Sequence, residues 1–88
     1  MDAGHDELHD PMQYDIMREA LNRLIGGHIA LADHAATPAE REHWLQESYA
    51  ARALAKKVDP RSRRAVREMT AELRRMDQAL PDLEPAAR

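Results

Sequence analysis

Apolar residues recur at alternating spacings of three and four along most of this chain, the period of helices that pack lengthwise against one another. In the first segment the seam runs through Tyr14, Met17, Leu21, Leu24, His28, Leu31 and Ala35, and Ile25, Ile29, Ala32 and Ala36 widen it. The last segment carries Ser62, Val66, Met69, Leu73, Met76 and Leu80 on the same spacing. The middle segment is less sharply divided. Its best face joins Trp44, Ser48, Ala51, Leu54, Ala55 and Val58, small enough for a neighbouring helix to approach closely.

Punctuation agrees with the periodicity. Asp10-Pro11, Thr37-Pro38 and Asp59-Pro60 each set a capping oxygen before a proline suited to the first helical position. Asp10 to Gln13 and Thr37 to Glu40 have the capping-box spacing, in which the third helical side chain reaches back to the cap's backbone N–H. A residue before proline is driven from the helical region, so the helices end near Ala36, Val58 and Leu80, before Pro81. The pattern predicts an all-α fold, a three-helix bundle with short proline-marked connections. Its helices occupy 11–36, 38–58 and 60–80, within a bundle spanning 10–80. Residues 1–9 read as a flexible acidic arm and 81–88 as a disordered tail. Helices this long do not fit a 34-residue helix-pair repeat.

With 88 residues there is room for one thin core. The absence of Cys removes disulfides, thiolate metal sites and cysteine nucleophiles. Phe is also absent, so the core lacks its commonest aromatic anchor. No apolar run approaches the ~20 residues that span a bilayer, and the first residues are acidic where a signal peptide is basic, which points to a cytoplasmic protein with no membrane partner.

Charge is unevenly spread. Asp2, Asp6, Glu7, Asp10 and Asp15 fall within the first 17 residues, which hold no Lys or Arg. Residues 52–75 hold nine basic side chains against Asp59, Glu68 and Glu72. Arg63, Arg67 and Arg74 lie along one side of the last helix, candidate contacts for phosphate or nucleic acid. The overall acidity, with a pI near 5.9, and the lack of interleaved aromatics weigh against nucleic acid.

Catalytic and cofactor chemistry find little support. Ser48 and Ser62 are the only serines, the three glycines form no phosphate-cradling loop, and the carboxylates are scattered along helix surfaces. His5 and His9 have the spacing of two ligands on one helix face, but no further ligand converges, so they read as part of a solvated arm and no metal is expected. His28 lies on the seam and needs a polar partner, for which Glu47 at the margin of the second helix's apolar arc is the candidate. The chain therefore reads as a non-enzyme without a cofactor.

Binding features remain. Leu45, Tyr49 and Arg52 point away from the best face of the second helix, a grouping typical of a protein interface that could equally serve a homo-oligomer. Gly26 and Gly27 together cost a helix about 2 kcal/mol relative to alanines. Gly26 falls opposite the seam, so three roles compete with simple tolerance: a hinge, a break into two helices, or the close approach of a partner's backbone.

In size, acidity and all-helical build, residues 10–80 resemble the epsilon-type antitoxins of epsilon/zeta toxin systems, three-helix-bundle proteins that neutralise a P-loop kinase-like toxin. The resemblance implies a toxin partner whose nucleotide site receives the first helix, with Asp10, Asp15 and Glu19 on ground otherwise taken by phosphates. The expected function is a non-catalytic, antitoxin-like protein-binding module; the alternative is a nucleic-acid-binding regulator acting through Arg63, Arg67 and Arg74.

Overall fold

A computed structural model describes residues 11–83. The acidic arm, the Asp10 cap, His5, His9 and residues 84–88 lie outside the described residues. Three helices follow one another, α1 (Pro11–Asp33), α2 (Pro38–Lys56) and α3 (Arg63–Gln78), with no strand among the described residues. Both α2 and α3 pack principally against α1, giving the three-helix bundle that the periodicity predicts. None of the helices is long and apolar enough to cross a membrane.

The start of α2 follows its signal. Thr37 is extended and its side chain accepts a hydrogen bond from the Glu40 amide at 3.1 Å. The Glu40 carboxylate reaches back one residue further than a standard capping box, to the Ala36 amide at 3.2 Å. The start of α3 does not follow its signal. Asp59 accepts from the Arg61 amide through its side chain, at 2.9 Å, and from the Ser62 amide through its carbonyl, at 3.0 Å. Asp59-Pro60 thus opens a β-turn, a use of aspartate and proline as favourable as a helix start. Ser62 is the true cap, accepting from Ala65 N at 3.1 Å, so α3 begins at Arg63 instead of residue 60. The helices also stop earlier than the prolines require, at Asp33, Lys56 and Gln78, because their last turns tighten into three-residue hydrogen bonds.

The core is built around Met17, Leu24, Val66 and Leu73, closed by Ala20, Ala51 and Ala55. At ~100° per residue, α1 turns Tyr14, Arg18 and Leu21 to one flank and Ala20, Arg23 and Gly27 to the other, with Met17, Leu24 and His28 between them. The first flank meets α2 and the second meets α3. Small residues set the approach on both sides: Ser48, Ala51 and Ala55 are the buried residues of α2, and α1 offers Ala20 and Gly27 to α3. The hydroxyls buried by this approach donate within their own helices, Ser48 to Leu45 O at 2.7 Å and Thr70 to Val66 O at 2.8 Å. Two large seam residues fall outside the core, Ile29 at 42% exposure and Leu54 at 37%. Both sit at the edge of their arcs, where two neighbours cannot cover a third side.

The glycine pair splits into two cases. Helix α1 runs unbroken through both, which excludes the break, and neither has positive φ. A side chain at Gly26 would meet open space. At Gly27 a Cβ would lie 2.7 Å from Leu80 Cδ1, so this glycine admits the end of the α3 segment against the middle of α1. Gly26→Ala is therefore expected to stabilise the protein by up to about 1 kcal/mol, raising Tm by roughly 4–8 °C. Gly27→Ala should gain less, because Leu80 must turn aside. Thermal unfolding of the two variants checks the order; a larger gain at Gly27 would contradict it.

Candidate functional site

Three grooves follow from two helices laid on the flanks of one. Between α1 and α2 runs an open groove of about 540 Å³ whose apolar surface comes from Tyr14, Met17, Leu21 and Tyr49. Its charged side chains are Arg18, Arg52 and Lys56, and among the described residues no carboxylate lines it. Tyr49 is 56% exposed despite its size. Among the described residues, Arg18, Arg52 and Lys56 take part in no ion pair, whereas Arg41 pairs with Asp33 at 3.3 Å and Arg64 with Glu68 at 3.9 Å. A concave apolar surface rimmed by one sign of charge suits an anionic, partly apolar ligand.

The groove between α1 and α3 is electrically mixed, lined by Glu19 and Asp77 as well as Arg23 and Arg74. Glu19, expected to face a partner, and Arg74, expected to face phosphate, therefore share one groove. The groove between α2 and α3 exposes Leu54, Val58 and Met69 beside Glu68 and Glu72. Here Glu72 is bonded to Arg75, a hydrogen bond that holds the carboxyl below its usual range and the guanidinium above its own.

The expected binding residues are divided by this geometry. Tyr49 and Arg52 come together in the α1–α2 groove, while Leu45 on the same side of α2 is half-buried. Asp15 and Glu19 are exposed on α1, away from the α2 flank, and Asp10 lies outside the described residues. Arg67 and Arg74 are exposed and form no ion pair among the described residues; Arg63 is half-buried, so the three do not make one open face. Lys56 lies beside Tyr49 and Arg52 on the α2 pattern itself, whereas Arg18 is not unusual on its own helix. The convergence of Arg18 with that group arises only from the antiparallel pairing of α1 and α2.

No family model matches this chain, and neither a curated protein nor a solved structure does. The side chains must therefore carry the reading. Both serine hydroxyls are committed to backbone, Ser48 as donor to Leu45 O and Ser62 as cap of α3. Among the described residues, no three or more His, Asp or Glu side chains cluster so as to hold a metal ion.

Among the described residues His28 is the buried ionisable group, 2% exposed, with its ring stacked on Trp44 at 6.1 Å between centroids. His43 meets the same indole edge-on at 4.6 Å. Glu47 comes near His28 but forms no hydrogen bond with it, and His28 Nδ1 has no partner. The expected His28–Glu47 hydrogen bond is thus not formed, and Glu47 acts on the imidazole only through its charge. Burial lowers the His28 pKa below the usual 6.5, Glu47 and Asp77 pull it up, and His43 lowers it further.

The sign of the consequence is definite. The unfolded chain takes up a proton near pH 6.5 while the folded chain resists it, so this stabilisation is complete above that pH. It is lost as pH falls from there toward the lower folded-state value. The denaturation midpoint should drop between about pH 7.5 and 5, and His28→Leu should remove part of that drop. An unchanged pH profile in the variant would contradict the assignment.

Proposed function

We propose that this chain is a non-catalytic protein-binding module that restrains a partner by helix contact, in the manner of the epsilon-type antitoxins it resembles. The observation that carries the reading is the α1–α2 groove, where a largely exposed Tyr49 stands among Arg18, Arg52 and Lys56, which form no ion pair among the described residues. Tyrosine and arginine are the residues most enriched where binding energy concentrates, and a cationic rim steers encounter and excludes wrong partners. The thin core supports it too, since a partner that binds only the folded form adds stability by mass action. In the antitoxin version, Asp15 and Glu19 add an acidic contact from the exposed side of α1.

The rival, nucleic-acid binding, draws on the exposed Arg67 and Arg74, but Arg64 and Arg75 of the same helix are engaged by Glu68 and Glu72. Gentle purification from the cells that make the protein, with and without nuclease, separates the two. One protein retained at near-equal stoichiometry after nuclease is expected, with Tyr49→Ala weakening its binding by about thirtyfold or more. Charge reversal at Asp15 and Glu19 without loss of binding would remove the acidic contact of α1. Nucleic acid in place of protein, displaced steeply by salt, would overturn the reading.

A further inference from the structure

The geometry points to an acidic amphipathic α-helix of the partner protein as the occupant of the α1–α2 groove, an inference that rests on the protein-binding reading above. Charge selects the sign. Of the three grooves, this one alone combines cations with no carboxylate among the described residues: the α1–α3 groove balances Arg23 and Arg74 with Glu19 and Asp77. In the α2–α3 groove the cation Lys57 sits beside Asp59, Glu68 and Glu72. The three cations of the α1–α2 groove stand on both walls, Arg18 on α1 and Arg52 with Lys56 on α2. A ligand with carboxylates along both edges of an apolar stripe would meet them from one position.

Shape selects the helix. Two antiparallel helices leave a trough into which the ridge of a third fits, and a helical ligand arrives with its backbone hydrogen bonds already made. An extended peptide that binds by strand addition needs a sheet edge, and the described residues contain no strand. From Tyr14 to Leu21 the groove extends seven residues along α1, about 10 Å, or two turns of a docked helix. Such a helix brings apolar side chains at i, i+3 or i+4, and i+7 onto Tyr14, Leu21 and Tyr49, while flanking Glu or Asp reach Arg18 on one side and Arg52 and Lys56 on the other. The apolar contacts supply affinity, and the charges supply orientation and rate.

The test titrates the full chain, labelled for NMR, with two synthetic helices of about 25 residues, well above the ~12–15 at which isolated helices are marginal. Both have a leucine seam; one has glutamates on either side of it and the other lysines. The glutamate peptide should shift amides within 14–21 and 49–56 and bind at least tenfold tighter than the lysine peptide. The Arg18→Glu, Arg52→Glu, Lys56→Glu triple variant should lose that preference while its circular dichroism stays helical. Equal binding of both peptides, shifts confined to α3, or shifts at the same amides on raising the concentration of the chain alone would each overturn the inference, the last in favour of a second copy. If the triple variant still holds the native partner, the groove assignment falls and the protein-binding reading stands. If nucleic acid replaces any protein partner, that reading falls whatever the peptides do.

Discussion

Everything in this molecule depends on the burial of one broad apolar arc on α1. Met17, Leu24 and His28 occupy its centre and are covered from both sides, by α2 over the Tyr14–Leu21 flank and by α3 over the Ala20–Gly27 flank. Because α2 and α3 lean chiefly on α1, the bundle behaves as two helix pairs that share a member. Loss of the central arc would release both outer helices together.

The same constraint creates the candidate site. A core without Phe closes by drawing helices together over alanine, serine and glycine, and long side chains at the margins cannot follow them inward. Tyr49, Arg52 and Lys56 are left standing at the edge of α2, and Arg18 faces them from α1. Exposed apolar surface ringed by like charge is a poor arrangement for a helix pair left alone and a good one for a helix pair awaiting a third member. The buried imidazole follows the same logic of limited resources. With a single Trp in the chain, His28 contributes aromatic bulk against Trp44, at the cost of an unpartnered Nδ1 and a stability that falls in acid.

Much of the fold is legible in the residues themselves. The three–four spacing on the first and last segments places Met17, Leu24, Val66 and Leu73 correctly inside, and Thr37-Pro38 marks α2 to the residue. Asp59-Pro60 misleads because a turn and a helix start exploit the same side-chain acceptor and the same fixed φ; the competing cap, Ser62, lies three residues on. Gly26 and Gly27 look alike in sequence, yet ~100° of rotation turns only Gly27 toward α3. A spacing of seven from Ala20 was the signal that small residues line that flank. The site is half legible: Tyr49 and Arg52 stand out as an exposed aromatic–arginine pair on α2. Lys56 follows them on the same face of α2, but Arg18 does not stand out, since joining it to them requires the register of α1 against α2, which no single-helix pattern contains. The acidic contact built on Asp15 and Glu19 belongs to the other side of α1 and is a separate matter from the groove.

The most direct test of the account is amide hydrogen exchange measured on the chain alone and on its complex with the protein that co-purifies with it. Binding along the groove predicts slowed exchange within residues 14–21 and 49–56, with 63–78 little changed. Protection confined to α3, with α1 and α2 exchanging as in the free chain, would contradict it.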